Sequence, residues 1–158
     1  MRETKIGFGY DIHRLEPGRP LVLGGLEIPY LKGLAGHSDG DALVHAIIDA
    51  LLGAMGEGDI GRLFPDTDPR WKGARSVGLL EDVVRRLKQS GGEIVNVDTV
   101  IVAEEPKMGP HIAAMKDVLC PVLGLAGSGL GIKAKTAEGL GPVGEGRAIA
   151  CWAVALIR

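Results

Sequence analysis

The chain has 158 residues, 46% of them apolar and 24% charged, with a net charge of −2. Those proportions exclude disorder and coiled coil, and the length predicts one domain over residues 1–158 with a core of its own. No basic stripe points to nucleic acid or an anionic membrane surface, no apolar run would span a bilayer and no leader opens the chain, so a cytoplasmic location is expected.

From Thr4 to Leu15, Ile6, Phe8, Tyr10 and Ile12 alternate with Gly7, Gly9, Asp11 and His13. That period of two predicts a strand. "PLVLGGLEIP" (20–29) predicts a small hairpin around Gly24-Gly25. "HSDGDALVHAIIDALLGAMG" predicts a helix from about Asp39 to Met55, with Ser38 as N-cap and Gly56 as the stop. Residues 58–73, "GDIGRLFPDTDPRWKG", are turn-rich and expected to be irregular. Val77, Leu80, Val84 and Leu87 mark an amphipathic helix ending near Gly91-Gly92. "EIVNVDTVIVAEE" reads as a strand, "PKMGP" as a loop, and Pro110 to about Leu119 as a helix with proline in its first turn. "GIKAKT" and "RAIACWAVALI" read as strands joined by the glycine-rich "AEGLGPVGEG". The two cysteines, Cys120 and Cys151, have no C-x-x-C spacing and are expected to be buried, reduced thiols. The fold class expected is an α/β (α+β) sandwich: a mixed sheet of about four strands with helices on one face, plus the hairpin.

"KIGFGYDIHRL" poses a choice between a phosphate-cradling turn and half of a metal site. A dinucleotide fingerprint needs a third glycine opening a helix, and Ile12 stands in its place while the strand period runs on. Residues two apart in a strand project to one face about 7 Å apart, so Asp11 and His13 can converge on one ion. Gly7 and Gly9 share that face and are expected to leave clearance beside the ion for a substrate. Taken alone, such a pair equally fits the polar teeth of a surface strand. The helix adds Asp41, His45 and Asp49 at i, i+4 and i+8, a stripe that would also suit solvent. Joined to Asp11 and His13, His45 completes two histidines and one carboxylate, three ligands with an open fourth position as in working zinc sites. Asp41 or Asp49 could orient His45.

"GFGYDIHRL", "GGLEIP", "LAGHSDGDALVHAIIDALLGA", "GDIGRLFPDTDP", "NVDTVIVAEEPKM" and "GIKAKTAEGLG", in this order, resemble the 2-C-methyl-D-erythritol 2,4-cyclodiphosphate synthase family of the non-mevalonate isoprenoid pathway. The resemblance implies a homotrimer with active sites between subunits. It assigns a zinc-type metal to Asp11, His13 and His45. It implies that His37 and Ser38 contact the phosphorylated methylerythritol, that Asp59, Ile60 and Gly61 contact its hydroxyls, and that Phe64, Pro65, Asp66, Thr67 and Asp68 lie alongside. From the neighbouring subunit, Ala103, Glu104, Glu105, Pro106, Lys107, Met108 and Gly109 would hold the cytosine. Lys135, Thr136, Ala137 and Glu138 would hold the cytidine diphosphate, with Glu138 on a magnesium- or manganese-type ion. The match departs at Pro142 and Glu145, where many relatives carry Phe and Arg beside a trimer-axis cavity that takes an isoprenoid diphosphate.

The reaction implied is attack of a substrate's own 2-phosphate on its β-phosphorus, with cytidine monophosphate leaving. A phosphate monoester is already largely dianionic at neutral pH, so alignment and charge neutralisation matter more than a side-chain base. His37 and Thr136 are the candidate catalytic hydrogen-bond donors. Two other readings use the same residues: a zinc-dependent phosphohydrolase, and a non-catalytic trimer that binds isoprenoid diphosphates. His111 is expected to cap or face solvent, and Trp71 and Trp152 to pack.

Overall fold

A computed structural model describes residues 3–158. The alternating N-terminal stretch forms β1 (Lys5–Pro17), which runs two residues past the predicted end at Leu15. The expected hairpin is β2 (Leu21–Leu23) paired antiparallel with β3 (Leu26–Ile28). Gly24 and Gly25 join them at φ 61° and 73°, the positive values that a two-residue primed turn demands. A further strand, β4 (Lys32–Leu34), pairs with the end of β1. Three residues carry no readable period, so it was not expected.

α1 (Ala42–Met55) ends at Gly56 as the spacing predicts, but its N-cap is Asp41 rather than Ser38. The Asp41 carboxylate accepts from the backbone N–H of Val44 at 3.0 Å, the bond a cap must make, whereas the Ser38 hydroxyl lies 3.1 Å from His45 Nε2. Asp41 is fully buried and also accepts from the backbone N–H groups of Gly24 (2.9 Å) and Gly25 (2.7 Å). One carboxylate thus caps the central helix and fastens the hairpin turn to it. Burial pushes this carboxyl above its ordinary value, against the pull of the N–H groups of Gly25 and Val44.

Residues 58–73 are more ordered than expected. They contain α2 (Ile60–Leu63), capped by Asp59, and a 3₁₀ turn at Pro69–Trp71, capped by Asp68. α3 (Ser76–Gln89) follows, then β5 (Ile94–Val102), which stops short of the predicted Glu105. A 3₁₀ turn at Gly109–His111 delays α4 to Ile112–Leu123, and His111 occupies the N-cap position without a side-chain bond. β6 (Leu130–Lys135), the short α5 (Gly141–Gly144) and β7 (Ala148–Ile157) complete the chain. Cys120 and Cys151 are both buried and free.

The main sheet runs β4-β1-β7-β5-β6, with β5 and β6 parallel and the other pairs antiparallel. It is the expected mixed sheet with one additional edge strand. No described helix is long and apolar enough to cross a membrane.

The sheet and α1 meet unusually closely along β1. A Cβ built on Gly7 would lie 1.7 Å from the carbonyl oxygen of Ala50, and one on Gly9 would lie 1.9 Å from that of Ala46. Only hydrogen fits there. This corrects the expectation that the two glycines leave clearance for a substrate: they make room for the helix backbone. Across the sheet, Ile6, Phe8, Tyr10 and Ile12 point the other way and stand exposed, Phe8 by 63%, beside Val154 and Trp152 on β7.

Gly53, on the same helix, offers a control, since a Cβ there would meet nothing closer than 3.9 Å. Gly9→Ala is expected to cost about 3 kcal/mol or more, because the obstructing atoms are backbone. Gly53→Ala is expected to be neutral or to gain up to about 1 kcal/mol of helix propensity. Denaturant midpoints compare the two, and equal stability of both variants would overturn the close-packing account.

Candidate metal centre

The inward row of β1 runs Gly7, Gly9, Asp11, His13. Its glycines lie against Ala50 and Ala46 of α1, so the next two side chains arrive beside His45, one residue before Ala46. Asp11 Oδ2 lies 2.7 Å from His13 Nε2 and 2.9 Å from His45 Nδ1, and the two nitrogens are 3.2 Å apart. All three ligand atoms fall within 4.8 Å of one another, a group that can hold a metal ion. Two imidazole nitrogens and one carboxylate oxygen suit zinc or a similar divalent ion, with a coordination position left for another ligand.

The electrostatics agree with that grouping. Burial would push the Asp11 carboxyl up, but hydrogen bonds from His13 and His45, with their attraction, outweigh it. The net effect holds Asp11 well below the usual carboxylate range. Burial likewise opposes charge on His13, yet the hydrogen bond and charge of Asp11 raise its pKa above the ordinary histidine value.

Each histidine is held from behind. His13 Nδ1–H donates to the carbonyl of Ala35, leaving Nε2 free to ligate. His45 Nε2 faces the hydroxyl of Ser76 at 2.8 Å and that of Ser38 at 3.1 Å. Neither Asp41 nor Asp49 orients His45, contrary to expectation. Asp41 is committed to its cap and the hairpin turn, and Asp49 accepts from the backbone N–H of Ile60 at 2.8 Å, tying α2 to α1. Nor does the stripe face solvent: Asp41 and His45 are buried. Sequence reasoning missed Ser76 and Asp39, which lie 37 residues apart and carry no spacing signal.

A cavity of about 460 Å³ opens over the three ligands. His37, Ser38, Ile60, Gly61, Phe64 and Asp66 line it, all expected site residues, and Gly36, Trp71 and Leu79 join them. Trp71 packs edge-on against Phe64, ring centroids 5.1 Å apart. His37 Nε2 lies 3.3 Å from the carbonyl oxygen of Asp68, while the Asp68 carboxylate pairs with Arg70 at 2.6 Å. Asp59, Pro65, Thr67 and Asp68 are not among the lining residues; the Asp59 side chain caps α2 instead.

The remaining expected residues gather elsewhere. Ala103, Lys107, Met108, Gly109, Lys135 and Thr136 line a second cavity of about 280 Å³ beyond the ends of β5 and β6, sharing no residue with the first. Beside it, Glu104 accepts from the backbone N–H of Ala137 at 2.7 Å, and the Thr136 hydroxyl donates to Glu138. Glu138 has a φ of 54°, the one described non-glycine residue with positive φ.

The sequence profile of the YgbB family matches residues 4–158, which carry the three ligand residues and both cavities. The chain belongs to the YgbB family. Within it, the chain is 57% identical over 153 residues to the 2-C-methyl-D-erythritol 2,4-cyclodiphosphate synthase of Synechococcus sp. (strain JA-2-3B'a(2-13)), covering 97% of this chain and 98% of the relative. The synthase of the same name from Symbiobacterium thermophilum is 57% identical over 152 residues, covering 96% and 97%. A solved 2-C-methyl-D-erythritol 2,4-cyclodiphosphate synthase, in a CDP-bound form, superposes with a TM-score of 0.90 at 45% identity, covering 98% of this chain and all of that one. The synthase of Plasmodium vivax superposes at 0.83 with 34% identity, covering 99% and 98%.

If Asp11, His13 and His45 bind a metal, zinc at about 100 times its Kd adds about 2.7 kcal/mol to the unfolding free energy. His45→Ala is expected to lose that increment. Chemical denaturation with and without zinc measures both, and an equal zinc increment in wild type and variant would contradict the assignment.

Proposed function

We propose that the chain converts 4-diphosphocytidyl-2-C-methyl-D-erythritol 2-phosphate into 2-C-methyl-D-erythritol 2,4-cyclodiphosphate and CMP. In this reading it is a phosphorus–oxygen lyase working in the cytoplasm as a homotrimer with active sites between subunits. The observation that carries the proposal is the convergence of Asp11, His13 and His45 at the floor of a cavity walled by His37, Ser38 and the α2 segment.

The nucleophile is a phosphate of the substrate, dianionic without help from a side chain, so the protein's task is to align and to neutralise charge. A divalent ion, zinc in this reading, held by Asp11, His13 and His45, and a magnesium or manganese ion at Glu138, would supply that charge at the diphosphate. Ser38, Ile60 and Gly61 receive the methylerythritol, with Phe64 and Asp66 as the adjoining wall. Lys107 and its neighbours from Ala103 to Gly109 hold the cytosine, and Lys135, Ala137 and the backbone around them hold the cytidine diphosphate. His37 and Thr136 donate hydrogen bonds to the oxygens of the transferring phosphoryl group.

Two features support assembly as the route to a complete site. The residues proposed for the nucleotide lie at a cavity separate from the metal cluster, as expected if each active site combines one cavity from each of two subunits. The outer sheet face also presents Ile6, Phe8, Tyr10, Ile12 and Val154 exposed, an apolar surface of the kind subunit interfaces cover. Near one end of that face, Glu145 is paired with Arg147 at 2.5 Å.

A phosphorus NMR time course with the cytidylyl substrate tests the reaction. Cyclic diphosphate appearing in step with CMP is the expected outcome; linear phosphates would favour the hydrolase, and an unchanged substrate spectrum the binding protein. Phe8→Glu is expected to convert a trimer into folded monomers and to lower turnover at least tenfold. Light scattering coupled to size exclusion reads the assembly state, and a wild-type chain that runs as a monomer would sink the shared-site reading.

A further inference from the structure

Ser76 sits at the first position of α3, fully buried, with its hydroxyl 2.8 Å from His45 Nε2. The same hydroxyl donates to the carboxylate of Asp39. A serine has one hydroxyl proton, so with that proton donated in a hydrogen bond to Asp39 the oxygen acts toward the imidazole only as an acceptor. Toward that oxygen His45 can only offer an Nε2–H, and an imidazole that keeps its proton on Nε2 presents the Nδ1 lone pair to a metal that displaces the Nδ1 proton shared with Asp11.

Asp39 is itself pinned. Its second oxygen accepts from the backbone N–H of Ser76 at 3.0 Å, and its first accepts from the backbone N–H of Asp41 at 3.2 Å. The carboxylate, the hydroxyl and the imidazole form one line from the α3 N-terminus through the interior to the ligand cluster. His13 gets the same service from a backbone carbonyl, that of Ala35. For His45 the service comes from side chains.

From this geometry we infer that Ser76 and Asp39 are positioning residues: they fix the tautomer and ring orientation of His45 and so set the affinity of the Asp11–His13–His45 cluster for its metal. The inference rests on the metal reading of the cluster. Partners behind a ligating histidine commonly account for about 10–100-fold in metal affinity. The Ser38 hydroxyl, 3.1 Å from the same nitrogen, also accepts the backbone N–H of Gly40 at 3.3 Å and is the more distant of the two neighbours.

The two possible roles of Ser76 separate experimentally. Its structural contribution to the start of α3 is its backbone N–H bond to Asp39, which Ser76→Ala keeps. The test is zinc titration of the metal-stripped full chain against a competing chromophoric chelator, with circular dichroism verifying that each variant is folded. Ser76→Ala is expected to bind zinc about 10–100-fold more weakly than wild type, and Ser76→Thr, which restores the hydroxyl, to recover most of that loss. Folded Ser76→Ala with wild-type zinc affinity would overturn the relay. Should Ser76→Ala not fold, Asp39→Asn carries the test, since it keeps the shape and weakens the line; it is expected to bind severalfold more weakly, and wild-type affinity there overturns the relay equally. His45→Ala distinguishes the two layers of the argument. If it keeps wild-type affinity, the metal reading itself fails; if it loses zinc while Ser76→Ala does not, only the relay fails.

Discussion

The site depends on how closely β1 lies against α1. Carbonyl oxygens of the helix occupy the space that side chains at Gly7 and Gly9 would need, so the strand sits on the helix backbone itself. A strand held at that distance delivers its next two inward side chains beside the helix's one histidine. Neither Asp11 nor His13 needs an elaborate loop to reach His45. The period of two in the strand and the packing distance bring them there together. Asp41 completes the arrangement one turn before His45, where one buried carboxylate caps α1 and holds the hairpin turn.

Where the sequence is regular it is also legible. The alternation in β1 predicts which face Asp11 and His13 share, and the aliphatic run of α1 predicts a helix that carries His45. The glycines show the limit of that reasoning. Their presence on the ligand face is visible in the sequence, but the identity of what fills the space beside them is not. Helix backbone and substrate both require a missing side chain, and only the packing distance separates the two. The same limit applies to the stripe of Asp41, His45 and Asp49. Helical spacing places all three on one face, yet the two carboxylates are taken by backbone N–H groups from the hairpin and α2, neither of which the spacing can register. Ser76 and Asp39 are further still from legibility, since a hydrogen-bonded line across 37 residues has no period. Short elements such as β4 and α2 were missed for a simpler reason: three or four residues hold too little pattern.

The arrangement of the two cavities matters as much as the cluster. The chain places its candidate metal ligands in one recess and Ala103, Lys107, Met108, Gly109, Lys135 and Thr136 in another. The proposed reaction needs its charged groups aligned, and each recess is held in place by the elements that build it. The bare apolar face of the sheet is the surface that would bring copies together. On this account association and catalysis are one property, since the surface that assembles the copies also completes each site.

The central claim is that β1 and α1 together build a metal centre from Asp11, His13 and His45. It is tested most directly by an anomalous difference map of crystals grown with zinc, collected on both sides of the zinc absorption edge. The account predicts one peak per chain, within bonding distance of Asp11 Oδ2, His13 Nε2 and His45 Nδ1. A map without that peak, or with the ion bound away from these three atoms, would contradict it.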